Sequence, residues 1–540
     1  MPGRTLTSRL YERQLGETEV SYFLPSREDG VNDMYLHLGF RALPHIARRS
    51  RVSLVWAILR MRHPLLASGV KMTDYNDVKF VYETPSTKED ALKKANENLE
   101  YQFLSKEELL NSYLNGPRTL SSERSSYLIL SQPTASPGIT PSTTPTGING
   151  HNTHAKHTNG NEANSTRNTL NGDEHAVHKQ EYDLLICATH YLGDGMALHQ
   201  FAHDFFTLLG NHTEGELREI LQEEWETRCD VELEPHCALP PALEHRLPAS
   251  PSGDFSRMAA RVDFSANQGK LVGGHSFPRC HGNKRHTIVP TVSFDEERTK
   301  KILKSCKAHG VSISSALFAI CSISWAKTTD AKWDLPIMMY SALNLRPYLF
   351  VERPISDSYW FLSIGYFNVV LPTFLPKLED GDLHKTFWHR ARKAKEQSTN
   401  AAKSRMIISR SRLMAEERGA RARVWAKEDD DKAAGRRKAP TKAPVPVDPG
   451  KVVSKPPSAA LMGLSLLGNL DGIYKHDSFP DIQLHTLTTG SRQRAGGLLL
   501  FGYTFVGKLW VSLGYDQNGF DRAVIERFWY NVLGSIDELL

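Results

Sequence analysis

The stretch YDLLICATHYLGDGMALHQF, residues 182–201, places a histidine and an aspartate at the end of an apolar run. Residues 184–188 are continuously apolar, which predicts a strand buried on both faces. Apolar residues at 196, 198, 201, 205 and 208 then favour a helix with one apolar stripe. Because glycines loosen the turn between these elements, His190 and Asp194 are expected where side chains can reach a cleft.

A histidine at such a position can act as a general base. A neutral imidazole takes a proton from a hydroxyl as that oxygen attacks a carbonyl, and a positioned base contributes about 10²- to 10⁴-fold to the rate. Among the 22 histidines, only His190 is followed by an aspartate four residues later, and Gly195 follows that aspartate. The alternative is a hydrogen-bonded core histidine without a catalytic role.

Length and composition narrow the class of protein. A chain of 540 residues is too long for one hydrophobic core, so two domains are predicted. The formal charge of +5 is mild for this size and does not indicate a nucleic-acid partner. The six cysteines show no CxxC pair, which favours reduced thiols in the cytoplasm over a zinc site or disulfides. No run approaches the roughly 18 apolar residues of a spanning helix, and the start lacks an apolar signal core.

Two segments differ in composition from the rest of the chain. Residues 132–180 are rich in Ser, Thr, Pro, Gly, Asn and His, and we predict a disordered insertion there. Its five histidines could bind a metal only weakly, because their spacing is flexible and no cysteine accompanies them. Residues 415–457 change from charged to proline-rich and predict a second disordered insertion. Both insertions, taken as 134–178 and 416–456, are expected to be dispensable for folding.

The regions between these insertions mix helices and strands. A helix is predicted after Asp295 and ends at 309–310, and a buried helix capped by Ser312 follows it. Strands are predicted in LPIMMYSALNLRP and IGYFNVVLPTFL, and a hairpin near Gly507. A last amphipathic helix begins at about Asp521. The pattern predicts an α/β protein with two lobes of similar size.

The segment HYLGDG, 190–195, resembles the HxxxDG motif of the CoA-dependent acyltransferase superfamily. This superfamily includes plant BAHD enzymes, chloramphenicol acetyltransferase and peptide-synthetase condensation domains. The segments SALNLRP, SLLGNLDGIY and the terminal strand and helix are similar in type and order. NDMYLHLGFRALP and SALNLRPYL look most similar to fungal trichothecene 15-O-acetyltransferases. Two features depart from other branches: Thr189 stands where condensation domains have a first histidine, and the plant DFGWG signature is missing.

This resemblance implies a fold of mixed α/β (α+β) type. Two chloramphenicol-acetyltransferase-like lobes, each a mixed sheet backed by helices, would enclose a channel between them. The lobes are expected at residues 1–240 and 286–540, with a crossover linker over 241–285.

The resemblance also implies roles for individual residues. His190 would be the base that lets an alcohol attack a thioester, and Asp194 would pair with an arginine to hold the loop. Arg346 in NLRP is the candidate partner, and Gly195 would let the backbone approach the site closely. An oxyanion donor is required, yet the sequence does not assign it, nor does it assign a residue to CoA.

The sequence therefore predicts an O-acetyltransferase that moves an acetyl group from acetyl-CoA to a secondary-metabolite hydroxyl, with a trichothecene 15-hydroxyl as the candidate acceptor. Two alternatives stay open: a condensation-like enzyme that uses a carrier-protein thioester, and a catalytically inactive scaffold. We expect a cytoplasmic monomer whose partners are acetyl-CoA and a small alcohol. No permanently bound cofactor, metal, nucleic acid or membrane span is expected.

Overall fold

The computed structural model describes residues 8–133, 178–230, 238–249, 253–282, 284–329, 334–350, 358–376, 382–436 and 458–540. The strands in these ranges are β1 (Leu10–Gln14), β2 (Met34–Ala42), β3 (Gly69–Met72), β4 (Val78–Glu83), β5 (Leu99–Gln102), β6 (Ser126–Ser131), β7 (Gln180–Ala188), β8 (Thr287–Ile288), β9 (Thr291–Phe294), β10 (Ile337–Asn344), β11 (Ile364–Leu371), β12 (Met462–Asn469), β13 (Gln483–Ser491), β14 (Leu498–Phe505) and β15 (Lys508–Asp516).

The helices in the same ranges are α1 (Glu17–Ser26), α2 (Arg49–Arg62), α3 (Lys88–Glu97), α4 (Lys106–Asn115), α5 (Gly195–Asn211), α6 (Glu214–Arg228), α7 (Leu243–Arg246), α8 (Asp254–Gly269), α9 (Glu296–Ala308), α10 (Ile313–Thr328), α11 (Asp382–Ala402), α12 (Ile407–Ala433) and α13 (Arg522–Leu539). Helices and strands occur along the whole chain, so the mixed α/β class is confirmed.

Two larger sheets form the centre of the molecule. The first has the strand order β13-β2-β7-β6-β5, and the second the order β11-β10-β12-β14-β15-β8, with β9 also paired to β15. Both contain parallel and antiparallel pairs, since β5 runs parallel to β6 and β12 runs parallel to β10 and β14. A small sheet of order β1-β4-β3 lies apart from them.

One strand of the first sheet comes from the other half of the chain. β13 pairs antiparallel with β2, from Gln483 opposite Arg41 to Ser491 opposite Met34. The predicted boundaries, 1–240 and 286–540, are therefore wrong for residues 483–491, which complete the first sheet. A pairing between strands more than 400 residues apart leaves no local signal in the sequence.

The strand before His190 has the predicted environment. β7 lies between β2 and β6, and residues 184–188 are all buried. Leu184, Ile186 and Ala188 pack into the main core with α2 and α5, whereas Leu185 and Cys187 pack on the opposite face beside α4. The prediction of a strand buried on both faces is thus confirmed, because successive side chains point to opposite faces.

The predicted elements of the second half are also confirmed. The Asp295 side chain caps α9, Ser312 caps α10 and Asp521 caps α13, each accepting a backbone N–H three residues later. α9 ends at Ala308 with His309 as its C-cap, and Gly310 follows with a φ of +67°. The β14–β15 hairpin turns at Gly507, where φ is +71°.

The second predicted insertion is partly wrong. Residues 415–433 belong to the 27-residue helix α12, which packs along α1. Its buried residues are mostly small, namely Ala415, Gly419, Ala422 and Ala426. Charged side chains bridge the two helices, with Arg423 bound to Glu17 and Arg27 to Asp430. We therefore expect residues 415–433 to contribute to folding, and the remainder, 437–457, lies outside the described ranges.

The structure describes most of the predicted crossover linker, 241–285, and little of the predicted insertion, 132–180. The stretch 241–285 contains α7 and α8, and Arg410 of α12 binds Asp263 of α8 through two nitrogen–oxygen contacts of 2.7 and 2.8 Å. The insertion over 132–180 falls mostly outside the described ranges, at 134–177, so its disorder and dispensability stay predictions. Its ends meet, because Gln132 donates a hydrogen bond to the Gln180 side chain.

In the part of the chain that the structure describes, no single helix has the length and apolar character needed to cross a membrane. By those criteria α9 and α10 would qualify only as a pair, and the two are bent by 93°.

Two core histidines make stability dependent on pH. His63 bonds to Ser358 and His199 to the Tyr474 hydroxyl, and burial lowers the pKa of each imidazole to about 3. In the unfolded chain a histidine titrates near 6.5, so unfolding takes up protons between these values. Stability is therefore fully present above the unfolded pKa and is lost as the pH falls.

We expect the free energy of unfolding to fall by about 3 kcal/mol between about pH 7.5 and pH 5.5, since each histidine contributes about 1.4 kcal/mol. Urea denaturation at the two pH values measures this loss. His63→Gln and His199→Gln should each remove about 1.4 kcal/mol of it, whereas the exposed His45→Gln should leave it unchanged. A pH-independent wild-type stability over this range would contradict the argument.

Candidate active site

His190 lies two residues after the end of β7, and its ring is fixed on two sides. Its Nδ1 lies 3.0 Å from the carbonyl oxygen of Gly193, which can only accept, so Nδ1 carries the proton. The Tyr22 ring of α1 stacks on the imidazole with a centroid distance of 4.3 Å. In the neutral tautomer Nε2 then holds a lone pair, and it has no bonding partner among the described residues. This is the protonation state that a general base requires.

The surroundings keep the His190 imidazole neutral at physiological pH. Burial lowers its pKa below the usual value, while the Gly193 carbonyl and the Asp194 charge offset part of this effect. The side chain is nevertheless only half-buried, so a substrate can reach it. A neutral and accessible imidazole can take a proton from a hydroxyl without first losing its own.

Asp194 is buried and fully engaged in structural contacts. Its Oδ1 accepts from the backbone N–H groups of Met196 and Ala197, which caps α5. Its Oδ2 accepts from the backbone N–H of Ser363, at 2.9 Å. Arg346 Nη1 lies 2.9 Å from both carboxylate oxygens. The carboxylate therefore holds the loop and has no hydrogen bond to His190.

Arg346 connects this loop to the second sheet. It follows β10, and the Asn344 side chain accepts its backbone N–H. Its Nη2 donates to the carbonyl oxygens of Tyr359 and Phe361, at 3.2 and 3.0 Å. The structure thus brings Asp194 and Arg346 together through one nitrogen, and not through the two parallel bonds of a bidentate pair.

The two glycines of the loop allow close packing. A Cβ on Gly193 would lie 3.3 Å from Nε1 of Trp360, and a Cβ on Gly195 would lie 3.3 Å from Leu467 of β12. Larger residues at either place would push these neighbours away. Gly195 therefore marks the point where the first helix after His190 meets strand β12 of the second sheet.

A groove begins beside this meeting point. Gly468 and Asn469, which follow Leu467, line it, and its volume is about 850 Å³. Its floor contains Leu317 and Gly502, and one rim carries three lysines, Lys304, Lys307 and Lys395. The N-terminus of α10, at Ser312, opens onto it, so partial positive charge from the helix adds to that of the lysines. Such a groove suits a long ligand with phosphate groups.

Cys187 is the nearest thiol to His190 in the sequence and packs on the opposite face of β7. It lies in a cluster with Tyr35, Tyr113 and Tyr127, and burial raises the pKa of its thiol far above the usual value. A protonated, buried thiol is inert as a nucleophile. Within the described ranges, no group of three or more His, Cys, Asp or Glu side chains could hold a metal ion. The five histidines at 151–178 lie outside those ranges, except His178.

Sequence reasoning missed three residues near His190. Tyr22 stacks on its ring, and the Tyr22 hydroxyl contacts the hydroxyl of Tyr366 on β11. Arg418 of α12 lies over the Tyr366 ring at 4.3 Å. No motif joins these three residues, because they come from positions separated by up to 396 residues in the chain.

Solved structures with a similar fold include an acetyltransferase and domains of peptide synthetases. The trichothecene 15-O-acetyltransferase TRI3 from Fusarium sporotrichioides matches with a TM-score of 0.68 at 13% identity, over 99% of this chain and 96% of that chain. The first condensation domain of the CDA synthetase matches with a TM-score of 0.53 at 12% identity, over 99% and 97%. The epimerization domain from the third module of tyrocidine synthetase B gives 0.52 at 12%, over 99% of each.

The chain has the fold of these proteins. No protein-family model and no curated protein matches the sequence. At such low identity the likeness concerns the fold alone, so the reaction has to be argued from the residues around His190.

Proposed function

We propose that this protein transfers an acyl group, acetyl in the simplest case, from acyl-CoA to a hydroxyl of a small molecule. The observation that carries the proposal is the state of His190: its Nδ1 is tied to the Gly193 carbonyl, and its Nε2 has no partner among the described residues. This arrangement is that of a general base, and the fold shared with an acetyltransferase supports acyl transfer as the reaction.

The proposed reaction needs no covalent enzyme intermediate. His190 Nε2 takes the proton as the acceptor oxygen attacks the thioester carbonyl, and the tetrahedral intermediate then collapses. The imidazolium returns the proton to the departing sulfur, which leaves as the free thiol of CoA. Cys187 is buried on the other face of β7 and cannot act as an acyl carrier.

We assign the lysine-rimmed groove to the CoA moiety. Its wall continues through Gly468 to Leu467, which packs beside Gly195, so a ligand lying in it would extend toward the loop of His190. Lys304, Lys307 and Lys395 are exposed on its rim and would face the phosphates of CoA. The supporting argument is charge complementarity together with the volume of the groove.

For the acceptor, a trichothecene 15-hydroxyl is the candidate that the sequence resemblance suggests. The fold match to TRI3 supports it, since that protein is a trichothecene 15-O-acetyltransferase. The carrier-protein alternative draws on the condensation-domain neighbours. Thr189, which stands where condensation domains have a first histidine, argues against it.

The decisive experiment supplies purified protein with acetyl-CoA and a panel of trichothecene and other alcohols, and measures release of free CoA thiol. We expect alcohol-dependent release, initial-rate plots that intersect, and no acetylated protein with acetyl-CoA alone. A stoichiometric, chemically competent acetyl adduct would contradict direct attack. Transfer only from a carrier-protein thioester would favour the condensation-like alternative over CoA as the donor. Inactivity toward both donors would favour the scaffold alternative.

The groove assignment gives a separate prediction. Reversing the charge at Lys304 and Lys307 together should raise the KM for acetyl-CoA by about tenfold with kcat nearly unchanged, because the lost attraction to the phosphates weakens binding alone. Lys301→Glu is the matched control, since Lys301 is exposed on the same helix but does not line the groove. An unchanged KM in the double variant would place CoA elsewhere.

A further inference from the structure

One arginine beside the candidate site has no polar partner. Arg418 lies on α12, half-buried, and makes no hydrogen bond or ion pair with any residue that the structure describes. Its Nε is buried and unsatisfied. The adjacent Glu417 is exposed and binds Arg421 instead.

Aromatic rings surround this guanidinium. Its central carbon lies 4.3 Å from the ring centre of Tyr366 and 5.5 Å from that of Tyr22. Tyr340 lies on the same sheet face as Tyr366. Ala342 pairs with Tyr366 across the two strands and so shares its face, and Tyr340, opposite Asn368, is two residues from Ala342 on the same strand. The Tyr340 ring covers Gly463, where any side chain would collide with it. We call Arg418, Tyr22, Tyr340 and Tyr366 the arginine–tyrosine cluster.

Among the described residues, the other arginines with a buried, unpaired nitrogen each bind at least one oxygen through another nitrogen; they are Arg13, Arg246, Arg285, Arg390 and Arg412. Arg346 binds the Asp194 carboxylate and two carbonyl groups, and Arg492 donates to the carbonyls of Tyr113 and Gly116. Contacts with ring faces compensate only part of the lost hydration of a guanidinium. Arg418 therefore has unused binding capacity for an anion, and a carboxylate matches its planar donors best.

The position of the cluster indicates which anion it can meet. The Tyr22 ring contacts both groups, because it stacks on the His190 imidazole at 4.3 Å and its centre lies 5.5 Å from the guanidinium carbon of Arg418. An oxyanion formed at the reacting carbonyl would need a donor at about 3 Å. Arg418 contacts the Tyr22 ring that stacks on His190 and has no contact with His190 itself. It is therefore suited to an anionic group of the acceptor that lies away from the reacting hydroxyl. The Tyr22 hydroxyl is protonated, since burial raises its pKa well above the usual value.

We propose that the arginine–tyrosine cluster binds a carboxylate of the acceptor, so that the acceptor is a hydroxy acid. Its hydroxyl would lie at His190 and its carboxylate at Arg418, the two groups that the Tyr22 ring contacts. This inference rests on the acyl transfer proposed above and narrows its acceptor. The inference therefore argues against the trichothecene candidate, because a neutral terpenoid alcohol would leave Arg418 unpaired.

The test compares a hydroxy acid with its neutral counterpart. Para-hydroxymethylbenzoate and its methyl ester share the ring and the hydroxyl, and the ester replaces the charged carboxylate at the far end by a neutral group that is one methyl larger. We expect calorimetry to show that the wild-type protein binds the acid at least about tenfold more tightly than the ester. Arg418→Gln should reduce this ratio at least about tenfold. Arg418→Lys, which keeps the charge but not the planar donors, should give an intermediate ratio.

Arg421→Gln is the matched control, because Arg421 lies one turn further along α12 and is exposed. It should keep the acid-over-ester ratio of the wild type. Equal wild-type binding of acid and ester, or no detectable binding of the acid, would overturn the carboxylate site. An Arg418→Gln protein that has the melting temperature of the wild type and the same ratio of affinities for acid and ester would also overturn the carboxylate site. Acetyl transfer to neutral alcohols without any preference for acids would overturn the inference alone, whereas absence of all transfer would count against the proposed reaction.

Discussion

Replacing His190 by alanine should lower the kcat of acyl transfer by at least about 100-fold and leave the fold intact. The imidazole is the group placed to remove the hydroxyl proton, and a positioned base contributes about 10²- to 10⁴-fold. The side chain is half-buried and makes one hydrogen bond, to the Gly193 carbonyl, so its loss should shift the melting temperature by no more than a few degrees. Single-turnover release of CoA thiol, measured beside a thermal melt, checks both expectations.

The matched control for this variant is His45→Ala, because His45 is exposed and outside the site. It should retain wild-type turnover. In the wild-type enzyme, kcat/KM should be lost on acidification only below the usual histidine pKa of about 6.5, since burial lowers the pKa of His190. Near wild-type turnover by His190→Ala would remove the assignment of the base.

Asp194→Asn should lower both stability and activity. The side chain keeps its size and an oxygen to cap α5, but it loses the charge that faces Arg346 and must present an N–H donor toward the Ser363 N–H or the arginine. Removing one partner of a buried ion pair costs about 3–5 kcal/mol. Because Arg346 is partly exposed, we expect a loss of about 2–4 kcal/mol in urea denaturation, with a parallel fall in kcat as the His190 loop loosens.

A double-mutant cycle separates the pair from its surroundings. Asp194→Asn and Arg346→Gln should together cost less than the two single changes added, with a coupling of about 1–3 kcal/mol. The surface pair Asp263–Arg410 serves as the control, and Asp263→Asn should cost no more than about 1 kcal/mol. Full stability with full activity in Asp194→Asn would show that the contact with Arg346 does not hold the loop.

Local patterns predicted many elements correctly. The caps at Asp295, Ser312 and Asp521 and the positive φ values at Gly310 and Gly507 depend on neighbouring residues, so one stretch of sequence contains the whole signal. The apolar run of β7 and the stripe of α5 likewise place His190 at the junction of a strand and a helix. The motif was visible because all of its residues lie within a few positions.

The sequence analysis did not predict helix α12, because most residues on its buried face are small and few large apolar side chains mark that face. Ala415, Gly419, Ala422 and Ala426 recur at helical spacing, and this was the available signal. Charged residues between them made the segment look solvated. In the fold those charges meet opposite charges on α1, and the small residues let the two helices approach closely.

The sequence by itself determined the order of elements in the second half, the HxxxDG segment with His190 and Asp194, and the burial of Cys187 on the face away from His190. Tertiary structure decided the rest: the entry of β13 into the first sheet, the lysine-rimmed groove beside Gly195, and the rings and guanidinium around His190. The physical reason is the sequence separation over which each kind of signal acts. Periodicity and capping act over a few residues, whereas Tyr22, Tyr366 and Arg418 meet only because α12 packs on α1 over the second sheet.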